Sequence, residues 1–85
     1  ALILKNIPSK SVSIMKGQEK VVTVSYDDFP HLGLWTKQDA PFLCIEPWFG
    51  YSDTLDASGN IMEKESILKL DAEGVFNTNF TIEVF

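Results

Sequence analysis

Apolar residues in this chain tend to recur at every second position, the period of a strand with one face buried. "SVSIMKGQEKVVTVSY" shows it most clearly. Val12 and Ile14 alternate with serines, and Val22 and Val24 alternate with Val21, Thr23 and Ser25. Lys16-Gly17-Gln18 lies between them, and Gly17 can take positive φ, so the stretch predicts a hairpin. "LGLWT" (Leu32 to Thr36) and "FLCIEPW" (Phe42 to Trp48) predict a second pair around the polar loop "KQDAP". "SILKL" (Ser66 to Leu70) and "VFNTNFTIEVF" (Val75 to Phe85) predict a third, turning at Asp71-Ala72-Glu73-Gly74. Phe76, Thr78, Phe80, Ile82 and Val84 share the mostly apolar face of that last strand, a face for a core. "NIMEKE", Asn60 to Glu65, favours a short helical turn, with Asn60 and Glu63 spaced as a capping box. The resulting fold class is all-β, an antiparallel sandwich.

Length decides how self-sufficient such a sandwich can be. A chain of 85 residues is one domain or part of one. At that size only about 60–65 % of the unfolded chain's surface is buried on folding. Cys44 is the single cysteine, so no disulfide within the chain adds stability, and a lone thiol points to a reducing, cytoplasmic setting. The opening "ALILKN" has no Met and no basic leader, which predicts a chain entered partway: a single partial domain over residues 1–85.

Charge and run length exclude several classes of partner. The net charge is −5, and seven basic residues spread along the chain make no stripe for phosphates, so nucleic acid is not an expected partner. The apolar runs are too short to span a membrane. One histidine, His31, and one cysteine cannot close a zinc site. "TLDASGNIMEKE" (Thr54 to Glu65) invites comparison with a calcium loop. It carries Thr54 where the pattern wants Asp, and no amphipathic helices flank it, so it reads as a polar surface loop. No metal and no cofactor are expected.

Glu46 stands out in "FLCIEPWFG", an otherwise apolar and aromatic run. Burying its charge without a partner costs several kcal/mol or forces protonation. In a strand, Phe42, Cys44, Glu46 and Trp48 share one side, and Leu43, Ile45 and Pro47 the other. If the second side is the core, the first carries a carboxylate beside an indole. That pairing suits a sugar, whose apolar ring face stacks on the aromatic while its hydroxyls bond to the acid. Partial burial would raise the Glu46 pKa toward the range of a general base. The structural alternative is a buried glutamate paired with a backbone amide or with Lys37. Pro47 has no N–H, so this strand lies at a sheet edge or leaves the sheet there. Tight pairing through "KQDAP" would set His31 near Glu46 across the ladder, although lone histidines usually have no catalytic part.

"FPHLGLWTKQDAPFLCIEPWFGYSD", Phe29 to Asp53, resembles the C-terminal part of aldose 1-epimerases, the galactose mutarotase family, and within it the bacterial LacX-like branch. "CIEPW" is the most specific part of the match; "EKESILKL" and the last strand are similar to the corresponding later segments of that branch. The resemblance covers most of this chain and well under half of a family member. It implies a β-supersandwich with one active site in a concave sheet. It makes Glu46 the general base of an isomerase that interconverts the α and β anomers of a hexose, free or phosphorylated. Trp48 and Trp35, on neighbouring strands, become candidates for lining the sugar cleft. The family's acid is a histidine in a portion outside this stretch, so His31 does not inherit that role and the chain alone is expected to be inactive.

Two other readings compete with the isomerase. One is a non-catalytic carbohydrate-binding β-sandwich. The other is a structural β module in which Glu46 is an ion-paired core residue. A partial sandwich also leaves edges and an apolar face open, which predicts a homo-oligomer of the chain.

Overall fold

The computed structural model describes residues 2–85. Six strands and one 3₁₀ turn come in order: β1 (Leu2–Leu4), β2 (Ser11–Lys16), β3 (Glu19–Ser25), β4 (His31–Trp35), β5 (Cys44–Trp48), the turn (Ile61–Glu63) and β6 (Thr81–Val84). They form two antiparallel three-stranded sheets, one ordered β1-β4-β5 and the other β2-β3-β6. The all-β class read from the alternation is the class observed.

The predicted hairpin is present. β2 and β3 pair from Ser11↔Ser25 to Lys16↔Glu19, and Gly17 turns the chain at φ +63°. A bulge after Ile14 adds one residue to β3, which keeps Val12 opposite Val24 and Ile14 opposite Val22. β4 and β5 form the second predicted pair. Pro47 lies on β5, an edge strand, where a residue without an N–H is tolerated. Asn60 caps the 3₁₀ turn by accepting from the Met62 N–H.

The core sits between the sheets. Val24, Tyr26 and Leu32 are buried, with Ile7, Val12, Val22, Phe29, Leu34 and Ile45 packed around them. Tyr26 keeps its hydroxyl satisfied, 3.0 Å from Ser9 Oγ. Alternation then assigns the faces of the first sheet. Leu32, Leu34 and Ile45 turn inward, so His31, Gly33, Trp35, Cys44, Glu46 and Trp48 turn to the outer face. Tyr51 and Ser66, from the chain beyond β5, cover the His31 end of that face, whereas Glu46 and Trp35 are exposed.

One expectation fails here. Ser66–Leu70 and Val75–Phe85 do not pair with each other. The turn between them does form, with the Gly74 N–H on Asp71 O at 2.9 Å, but β6 (Thr81–Val84) instead takes the free edge of β3. Residues 75–80 are held by aromatic contacts: Phe76 against Phe49 at 5.3 Å and Phe80 against Phe29 at 6.3 Å between ring centroids. Ile82 and Val84 do face the core side, opposite Val24 and Val22, yet they are 59 % and 75 % exposed. β1, which the alternation does not announce, pairs Leu2, Ile3 and Leu4 with Leu34, Gly33 and Leu32.

Candidate functional site

β4 and β5 place the three candidate residues on one surface. Glu46 and Trp48 alternate along β5, and Trp35 ends β4 on the same outer face, opposite Cys44. Glu46 is exposed, so the premise of partial burial does not hold and neither does the buried ion pair with Lys37. Among the described residues the ion pair is Lys64–Asp53, at 3.4 Å, in a different part of the chain. The glutamate can sit in an apolar run because the run is a strand, and its outward positions meet solvent.

Trp48 does not stand straight off the sheet. A Cβ added at Gly33 would lie 3.0 Å from both Cε2 and Cζ2 of Trp48. The indole thus occupies the side-chain space that Gly33 leaves empty. Gly33 is also the cross-strand partner of Glu46, so the ring leans toward the slot facing the carboxylate. Trp35 is 42 % exposed and packs on Phe42, with ring centroids 5.4 Å apart. The resulting patch has a carboxylate between two indoles.

The ladder register corrects the expected position of His31. It faces Trp48, while Gly33 faces Glu46. The cause is the loop. The Ala40 N–H bonds to Lys37 O, Asp39 takes φ 63°, and the Phe42 N–H bonds to Ala40 O. These turns use up Phe42 and Leu43, and the chain re-enters the ladder at Cys44.

His31 is also unavailable for proton exchange with a ligand. It is 2 % exposed, and both ring nitrogens are occupied. Nδ1 accepts from the Asn6 N–H at 3.1 Å, so the ring's proton sits on Nε2, which donates to Ser66 Oγ at 2.6 Å. Ser66 in turn donates to Phe49 O at 3.0 Å. Each hydrogen bond in this relay runs in one direction. A nucleophilic serine paired with histidine needs the reverse tautomer, so the short Ser66–His31 contact is not a hydrolytic dyad. Tyr51 and the imidazole form a T-shaped pair with ring centroids 4.9 Å apart, and the Lys5 ammonium lies 4.1 Å from the Tyr51 ring centre. Glu65 accepts the Tyr51 phenol hydrogen, which holds that group above the ordinary tyrosine range.

Depressions lined by Asp53, Ala57, Ser58, Gly59, Asn60 and Lys64 run along the acidic loop and do not include Glu46. Thr54 bonds to Asp56 there, and no three His, Cys, Asp or Glu side chains converge as a metal set among the described residues. No described helix is long and apolar enough to cross a membrane.

No protein-family model matches the chain, and no solved structure matches it. Two proteins of Lactococcus lactis subsp. lactis are similar to it: "Protein LacX, chromosomal" and "Protein LacX, plasmid". Each is 39 % identical over 77 residues, which is 84 % of this chain and 25 % of the relative. The chain spans about a quarter of the length of these curated relatives.

Proposed function

We propose that the outer face of β4 and β5 is part of the sugar site of an aldose 1-epimerase-like isomerase, with Glu46 as its general base. The observation that carries the reading is the grouping of exposed Glu46 and Trp35 with half-buried Trp48 on one outer face, with Gly33 giving the Trp48 indole room beside the carboxylate. The similarity to LacX proteins and the "CIEPW" context support it.

The chemistry follows from the residue types. Glu46 takes the proton of the anomeric hydroxyl while an acid protonates the ring oxygen. The C1–O5 bond breaks, leaving an aldehyde at C1 and a hydroxyl at C5. The C1–C2 bond rotates, and the C5 oxygen re-adds to the other face of the carbonyl as the protons return. Only protons move, so no metal or organic cofactor is required. A positioned base or acid typically contributes 10²–10⁴-fold. Trp48 and Trp35 would stack on the sugar's apolar faces and keep the anomeric carbon at the carboxylate. A hexose, free or 6-phosphorylated, is the proposed ligand, in the cytoplasm.

The acid must come from outside these residues, because both nitrogens of His31 are already bonded within the fold. A second reading, sugar binding without turnover, is favoured for the 85-residue chain alone, since an exposed carboxylate beside an indole can hold hydroxyls with no acid present.

Polarimetry tests the pair of claims. The chain alone should leave the mutarotation of fresh α-galactose or α-glucose at its buffer rate. In a longer protein that carries this stretch together with an acid, Glu46→Gln should remove turnover mainly through kcat, because Gln keeps the shape but cannot take the proton. A Glu46→Gln enzyme retaining most of its kcat would show that Glu46 is not the base.

A further inference from the structure

We infer that His31 is a positioning residue: its Nε2–H, acting through Ser66, fixes the end of β5 and with it the indole of Trp48. The inference rests on the sugar-site reading only for its purpose, not for its geometry.

The geometry joins three separate parts of the chain. The imidazole lies opposite Trp48 in the ladder. One nitrogen grips the loop after β1 at Asn6 N–H, and the other grips Ser66, just beyond the 3₁₀ turn. Ser66 passes the restraint to Phe49 O, on the residue next after Trp48. The backbone leaving β5 is therefore pinned one residue from the indole and three from Glu46. Without that bond Phe49 O would have no side-chain partner holding it to the 66 region.

Backbone strain points to the same cluster. Asn6 has φ 51° and Ser66 φ 62°, both in the left-handed region that side chains other than Gly adopt at a cost. Asn tolerates it through local hydrogen bonding, and Ser less so. Such conformations persist where surrounding contacts over-determine them, and they gather at sites that must hold a geometry. Here both strained residues contact one buried ring, and Tyr51 closes over it. Any buried imidazole needs partners for its nitrogens; here the two bonds tie it to separate parts of the chain. This one has the shape and both nitrogens in use, which gives a planar spacer of fixed length between β1's loop and β5's end.

The two nitrogens can be tested separately. His31→Gln places an amide near the Nε2 position and keeps a donor for Ser66. His31→Asn places an oxygen near Nδ1 and keeps the acceptor for Asn6, losing the link to Ser66. Both remove a buried ring and one hydrogen bond, so a merely structural role predicts the same response from both. Positioning predicts a split. The readout is the indole N–H resonance of Trp48 in isotope-labelled protein, told apart from Trp35 by a Trp35→Phe variant. The wild-type position should survive in His31→Gln and shift and broaden in His31→Asn, with similar losses in melting temperature. Ser66→Ala, which leaves the ring in place and cuts only the bridge, should reproduce the His31→Asn signature and decides the matter if His31→Gln does not fold. A hexose titration of the same samples should weaken by about tenfold, equivalent to 1.4 kcal/mol, where the resonance has moved. An unmoved Trp48 resonance in Ser66→Ala, or equal shifts in the two His31 variants, would overturn the inference. A wild-type protein that ignores the hexose counts against the sugar reading and leaves the resonance to judge the clamp.

Discussion

Glu46 and Gly33 face each other across one ladder, and the glycine's missing side chain leaves the space that the Trp48 indole takes. Trp48 occupies the space over Gly33, and Glu46 stands exposed at the outward position opposite that glycine. Gly33→Ala puts a methyl 3.0 Å from two ring carbons, closer than a relaxed contact. The indole must then tilt away. Overpacking costs about 1–3 kcal/mol, while removing a glycine from a strand returns about 0.5–1 kcal/mol, so we expect a net loss of roughly 0–2.5 kcal/mol. The larger effect should be on the Trp48 emission and indole resonance. An unchanged tryptophan spectrum in a folded Gly33→Ala protein would mean that the ring does not lie over the glycine. Glu46 is exposed and carries no ion pair among the described residues, so Glu46→Gln should change stability by no more than about 0.5 kcal/mol. Thermal denaturation separates that outcome from a structural glutamate, whose loss costs several times more.

Elements differ in how clearly the chain announces them. The β2–β3 hairpin and the β4–β5 pair could be read directly, because alternation and a polar loop agree at each, with a turn glycine in the first. Gly17 at φ +63° is the tightest requirement in the hairpin. Gly17→Ala meets no neighbouring atom within 4 Å, so its cost of about 1 kcal/mol should come from backbone conformation alone, seen as a lower melting temperature with unchanged tryptophan signals. The outward placement of Glu46, Trp48 and Trp35 was legible for the same reason, since period two fixes faces. Register was not. It depends on how many residues the Thr36–Leu43 loop consumes, and Asp39 in a left-handed conformation is invisible in composition. Partner choice was not legible either. The alternation of Phe80, Ile82 and Val84 defines a face, but nothing in it says that β6 will join β3 and not Ser66–Leu70. β1 is three residues long, too short to carry a period. The His31 network had no signal at all, because Asn6, His31, Phe49 and Ser66 are brought together only by the fold.

At the scale of the whole molecule the core is small and one side of the second sheet lies open. Val24 is buried on β3, while Ile82 opposite it and Val84 opposite Val22 are mostly exposed on β6, as is Phe85 beyond them. β6 is also an edge strand. An uncovered apolar face beside an unpaired edge recruits strands. We expect the 85-residue chain to sediment as a dimer or larger species at micromolar concentration, with the charge of −5 per chain screened at physiological salt. A folded monomer would show that this face stays solvated. The outer face of the first sheet is independent of that surface, and its role can be measured on the chain as it stands. Galactose, glucose and their 6-phosphates should be titrated into isotope-labelled protein while the Trp35 and Trp48 indole resonances are followed. Both should move saturably with at least one of these sugars. Glu46→Gln should weaken the binding by about tenfold or more, the effect of losing a charge-assisted hydrogen bond worth roughly 1.5–3 kcal/mol. Indoles that ignore all four sugars, or that respond equally in Glu46→Gln, would contradict a sugar site built on Glu46.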